Sequence, residues 1–249
     1  MIMEKSSART VFFDSFDAKY LINLPERKDR LQYVQRQFER HNLPFNEIIL
    51  FKGVKCQDKG GFRSLGVRGC FLSHLGVLRD AKARGAEKVL VMEDDLGLCR
   101  DFFTYQERVA REMKTKPWDV AYFGNPMPKR QNVSELNEVM GVLPIPARLR
   151  GSHFYAVHGK ILSRLIVSLE AMLGRPDGSP EGGPMHIDGA LGWFRRHNRD
   201  VVALASRSVL GIQSSTQSDI HKNKMDAIAL ISYFLKPFRR LKNIIRYGC

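Results

Sequence analysis

Apolar residues along this 249-residue chain fall in short runs of strand length, separated by longer stretches in which they recur every three or four positions. The short runs lie at 19–24, 45–51, 89–92, 120–123, 154–157 and 201–205, and most are rich in β-branched and aromatic side chains. The helical stretches present clear faces. After Pro25, Leu31, Val34 and Phe38 share one side of a helix; after Gly159, so do Ile161, Leu162, Leu165, Ile166, Leu169 and Met172. Strands alternating with helices predict an α/β domain, a sheet flanked by helices. Residues 125–150, with four prolines, and 174–184, dominated by Gly and Pro, break the pattern and read as long functional or disordered loops.

One run carries more than packing. Residues 89–92 lead straight into Glu93, Asp94 and Asp95, three consecutive carboxylates at the tip of an apolar strand. Such a group repels itself and resists burial, so it is either a solvated acidic turn or a site neutralised by a hard cation. Side chains two apart on an extended segment share a face, which puts Glu93 and Asp95 together and Asp94 opposite. Ligands of open α/β sheets sit beyond the carboxyl ends of the strands. There, Mg²⁺ or Mn²⁺ held by one or two carboxylates commonly completes its shell with water and phosphate oxygens. Upstream, 20–24 runs into Pro25 and then Arg27, Lys28, Asp29 and Arg30. A helix start with open N–H groups and arginines suits a phosphate, and the same residues also make an ordinary charged, solvent-facing first turn.

The formal net charge is +14, which favours anionic partners. Residues 222–249 hold seven of the basic side chains against Asp226, and place Ile228, Ile231, Phe234, Leu235, Phe238, Leu241 and Ile245 at near-helical spacing. A basic amphipathic helix of this kind is expected to lie on an anionic membrane surface; packing on the body or dimerisation would use the same stripe. Cys56, Cys70, Cys99 and Cys249 show no CxxC pair, so reduced thiols are expected. With no apolar leader in residues 1–18 and no uncharged stretch near the ~20 residues that span a bilayer, the expected location is cytoplasmic, peripheral on the inner face of the cell membrane.

Several blocks in fixed order carry a family resemblance. The first runs from Ile22-Asn23-Leu24 through Arg27 and Asp29-Arg30; the second is Gly69-Cys70-Phe71-Leu72-Ser73-His74; the third is Val91-Met92-Glu93-Asp94-Asp95. Gly151-Ser152-His153-Phe154-Tyr155, His186-Ile187-Asp188, and Gln213 with Ser218-Asp219-Ile220 follow. Over about residues 18–221 the chain resembles glycosyltransferase family 25, the lipooligosaccharide and procollagen galactosyltransferase group. The resemblance implies a GT-A-type fold with a single mixed sheet, and inverting transfer of a hexose from a nucleotide sugar. Galactose from UDP-galactose is the family default, and the acceptor would be a glycan in lipopolysaccharide, lipooligosaccharide or other surface polysaccharide synthesis; a lipid-linked glycan is what a membrane-bound basic tail would meet. The chain departs from the family at Val67, where an acid usually stands three positions before the motif cysteine.

The resemblance also implies roles. Glu93 and Asp95 would hold Mn²⁺ or Mg²⁺ against the donor diphosphate. Asn23, Arg27, Arg30, Ser73, His74, Asp94, His153, Gln213 and Asp219 would line the donor side, with His74 in a structural role beside it. Asp188 is the candidate base that takes the acceptor hydroxyl's proton, and it can also be read as a metal or sugar ligand or as a helix cap. Two rivals remain at this stage: a metal-dependent nuclease or phosphoesterase, and a non-catalytic membrane-associated relative. No nucleic acid partner is expected. The resulting division is an extension at 1–17, a catalytic domain at 18–221 and the basic tail at 222–249.

Overall fold

The computed structural model describes residues 11–124, 138–145, 147 and 151–214. Its main sheet has seven strands: β1 (Ala18–Asn23), β2 (Ile49–Lys52), β3 (Lys88–Glu93), β5 (Val120–Tyr122), β6 (Met140–Val142), β7 (Phe154–His158) and β8 (Ala203–Ser206). Their order is β2-β1-β3-β7-β5-β8-β6. β1 runs parallel to β2 and β3, β5 runs parallel to β8, and β7 is antiparallel to both β3 and β5. A separate ribbon pairs β4 (Leu96–Leu98) with β9 (Gly211–Gln213). The helices are α1 (Lys28–Arg40), α2 (Leu65–Ala83), α3 (Arg100–Thr115), α4 (Gly159–Leu173) and α5 (Ile187–His197). The seven-stranded sheet is the mixed sheet flanked by helices expected of a GT-A-type domain, and the β4–β9 ribbon is an addition to the single sheet expected.

The period-2 alternation of the strands builds two cores. On one face Tyr20, Val89, Val91, Tyr155 and Val157 pack with the stripes of α2, α4 and α5. On the other, Leu21, Leu90, Met92 and Phe154 pack with Val34 and Phe38 of α1, Phe102 of α3 and a group of edge-on phenylalanines. All six stripe residues of α4 are buried, and its first turn comes so close to β3 that a Cβ on Gly159 would stand 2.5 Å from the Ala86 carbonyl oxygen. The consequence for function lies at the tip of β3. Glu93 continues the face of Val89 and Val91 and so meets α2, whereas Asp94 turns to the side of α1.

Several sequence expectations need correction. The run 45–51 is a 3₁₀ turn, Phe45–Glu47, followed by the short β2. Pro25 does not open α1. It sits in a preceding turn closed by the Arg27 N–H on the Leu24 carbonyl at 2.8 Å, and α1 starts at Lys28. Residues 125–150 contain β6. Phe12, Phe13 and Phe16, assigned to the extension, are buried in the second core, so the folded body includes them. Cys56 and Cys70 are free thiols but Cys99 is disulfide-bonded, against the expectation of reduced thiols. Among the described residues no helix is long and apolar enough to cross a membrane. The tail at 222–249 and Asp219 lie outside the described residues.

Candidate functional site

A cavity of about 820 Å³ opens at the carboxyl ends of β1 and β3. The loop 53–59, the first half of α2, the acidic tip of β3 and Gln213 of β9 enclose it. Its floor is the carboxylate triplet, fixed by backbone bonds at both neighbours: the Glu93 N–H donates to the His153 carbonyl at 3.0 Å, and the Asp94 N–H to the Ile22 carbonyl at 3.1 Å.

The three acids have different surroundings. Asp94 is buried and bound on both oxygens, Oδ1 accepting from Arg30 Nη1 at 2.9 Å and Oδ2 from Asn23 Nδ2 at 2.8 Å. Burial still raises its pKa, with Arg30 and Asn23 pulling the other way. Glu93 faces α2, where Oε1 accepts from Ser152 Oγ at 2.8 Å and stands 3.3 Å from His74 Nε2. Burial pushes Glu93 up, but His74, His153 and Ser152 more than offset it and hold the carboxyl below its usual range. Asp95 has the least support. Its Oδ1 is buried with no hydrogen bond, and Arg30 approaches its Oδ2 only to 3.9 Å. Burial, then the neighbouring Glu93 charge, raises Asp95 well above the ordinary carboxylate value. Three neighbouring acids, only two of them reached by Arg30, with an orphaned carboxylate oxygen on Asp95, form an oxygen-rich set that suits a hard divalent cation.

α2 explains the strongest sequence block. Ser64 caps the helix by accepting the Val67 N–H, and Val67 itself packs into the core. Gly69 and Ser73, one turn apart, face the loop: a Cβ on Gly69 would stand 2.4 Å from the Val54 carbonyl oxygen, and Ser73 Oγ accepts the Val54 N–H at 2.8 Å while donating to the Gly69 carbonyl. Ser73 thus positions the cavity wall through the backbone. Cys70 and His74, the adjacent pair on the helix, face Glu93. The His74 ring is completely buried, with Nδ1 3.0 Å from the Tyr155 hydroxyl.

The cavity therefore brings together Arg27, Arg30, Ser73, His74, Glu93, Asp94, Asp95 and Gln213. Arg27 lies at the rim and pairs with Asp29 at 3.0 Å. Asn23 sits behind the wall, braced against Asp94. Gln213 arrives because β9 folds back on β4, where the Ser214 N–H bonds the Asp95 carbonyl at 2.6 Å. His153 does not reach the cavity. Buried and with its pKa lowered by that burial, it places Nε2 3.2 Å from the Gly211 carbonyl, tying β7 to the approach of β9. Asp188 also lies off the lining, in the first turn of α5. There Oδ2 accepts the Gly151 N–H at 3.1 Å and Oδ1 accepts the Gly189 N–H at 2.8 Å. Sequence reasoning missed the loop 53–59, which adds Lys55 and Lys59 to the lining. Its signal was available: two lysines directly after a parallel strand's carboxyl end.

Comparison with known proteins matches this part of the chain. Residues 16–124 fit the model described as Glycosyltransferase family 25 (LPS biosynthesis protein). Procollagen galactosyltransferase 1-B of Xenopus laevis is 28% identical over 152 residues, which are 53% of this chain and 24% of that protein. Inactive glycosyltransferase 25 family member 3 of Homo sapiens is 34% identical over 79 residues, 31% of this chain and 13% of that protein. The chain thus spans about a quarter or less of the length of these curated relatives. The solved structure of a glycosyltransferase involved in the glycosylation of the major capsid of PBCV-1 covers 76% of this chain and 92% of its own at 9% identity, with a TM-score of 0.33, too low to bear on function. The match over residues 16–124 and the curated relatives make the chain similar to glycosyltransferase family 25.

Proposed function

We propose that this protein binds a nucleoside diphosphate sugar in the cavity above β1 and β3 and transfers its hexose, from UDP-galactose, with inversion onto a hydroxyl of a glycan acceptor. The observation that supports this reading best is the orphaned Asp95 oxygen beside Glu93 at the tip of β3. Glu93 and Asp95 would hold Mn²⁺ or Mg²⁺, and the cation, when bound, supplies the positive charge that stabilises the departing diphosphate. Asp94 orients Arg30 and Asn23, Arg27 and Lys55 add positive charge at the rim, and Gln213 closes the wall. The family resemblance, together with the procollagen galactosyltransferase relatives, favours galactose; the LPS biosynthesis description of the matching model and the basic stripe at 222–249 favour a surface-glycan acceptor reached at an anionic membrane. Asp188 would accept the hydroxyl proton. Its two backbone donors, Gly151 and Gly189, fix the carboxylate's direction.

A second reading, retained fold without transfer, is favoured by relatives described as inactive and by Val67, buried where the family has an acid. Turnover of UDP-galactose by purified protein with Mn²⁺ and a glycan acceptor separates the two. Transfer that falls at least about a hundredfold in Asp188→Asn, with donor binding kept, supports the base assignment. Donor binding without any turnover in the wild type supports the second reading.

A further inference from the structure

We infer that Cys70, His74 and Glu93 form a binding site for a thiophilic divalent cation such as Zn²⁺, and that filling it withdraws Glu93 from the donor cation. Cys70 and His74 lie four residues apart on one face of α2, opposite the tip of β3. One ligand atom from each of the three residues lies within 4.8 Å of the other two. The His74 Nε2 to Glu93 Oε1 separation is 3.3 Å. That is the edge of a tetrahedron whose metal bonds are about 2.0–2.1 Å long, the usual zinc–histidine and zinc–carboxylate lengths.

The histidine is prepared for this role. Nε2 is fully buried and faces the Glu93 carboxylate across 3.3 Å, with no other polar atom bonded to it. At the other nitrogen the Tyr155 hydroxyl, 3.0 Å from Nδ1 and stacked alongside, fixes the ring as outer partners of metal-bound histidines do. Thiolate and carboxylate together balance a 2+ charge. Burial, with Glu93, Asp95 and Asp188 nearby, keeps the free Cys70 as a neutral thiol. Binding therefore exchanges the thiol proton for the cation and releases that proton to solvent. Cys70 lines the cavity, which gives an entry path and room for a fourth, water ligand. A sulfur ligand selects against Mg²⁺ and Mn²⁺, so the site differs in preference from the Asp95 corner.

Cation binding stands on these distances alone; the withdrawal of Glu93 rests on the proposed function. The test titrates the full chain with Co²⁺, then with Zn²⁺. A thiolate-to-cobalt charge-transfer band, removed by Zn²⁺ and retained in Cys56→Ser, is expected. In Cys70→Ser the band is lost and Zn²⁺ binding weakens by at least about tenfold. No thiolate band in the wild type, or unchanged Zn²⁺ affinity in folded Cys70→Ser, overturns the site. Zn²⁺ should also weaken Mn²⁺-dependent UDP binding in the wild type more than in Cys70→Ser. Equal weakening overturns the link to Glu93. Failure of UDP to bind with Mn²⁺ alone would count against the proposed function and leave the cobalt result standing.

Discussion

Asp94 and Arg30 form an ion pair of 2.9 Å with both side chains at most 10% exposed, 64 residues apart in sequence. The pair locks the start of α1 to the tip of β3, and Asn23 completes it from β1. Removing one partner leaves a buried charge uncompensated. Arg30→Met is expected to destabilise the fold by about 3–5 kcal/mol, measured by denaturant unfolding. A loss below about 1 kcal/mol would show that Asp94 finds another partner or solvent.

The contact between Gly69 and Val54 leads to a second expectation. Gly69→Ala puts a methyl against the Val54 carbonyl oxygen, so the loop 53–59 must move outward. UDP affinity should fall while the helix content seen by circular dichroism is unchanged. Ser73→Ala, which strips the Val54 N–H of its acceptor, should cost about 1–3 kcal/mol.

His153 and Gly124 make a coupled pair. A Cβ on Gly124 would lie 2.2 Å from His153 Nε2, so Gly124→Ala alone should be clearly destabilising. With His153→Ala in the same chain the clash disappears, and a double-mutant cycle should show coupling of about 1–3 kcal/mol. Additive losses would mean that the ring moves aside freely.

The core stripe of α4 gives a control away from the site. Leu165 is 0% exposed, and Leu165→Ala should cost about 2–5 kcal/mol in unfolding experiments. UDP binding, measured below the unfolding transition, should not change.

These relationships differ in how far the sequence revealed them. The α4 stripe, β1 and β3 were legible because burial on one or both faces leaves a periodic record. The acidic triplet was legible for the opposite reason: nothing in a buried strand calls for three charges. Alternation also placed Glu93 and Asp94 on opposite sides, as found. It said less about Asp95, which lies past the end of β3 in a turn, where period 2 no longer applies. The clamp of Ser73 on Val54 left no local pattern, because its partners come from separate segments. β4 and β9, three residues each, are too short for periodicity, so the return of Gln213 to the cavity rested on the family resemblance. His153 looked like a ligand in sequence because its role, bonding the Gly211 carbonyl, depends on a strand 58 residues away.

Calorimetric titration of UDP into the wild type and Asp95→Ala, with Mn²⁺ and again with EDTA, addresses the acidic corner itself. Binding should require Mn²⁺ in the wild type and be lost in folded Asp95→Ala. Binding of equal strength in EDTA, or in Asp95→Ala, would contradict a cation held at the tip of β3.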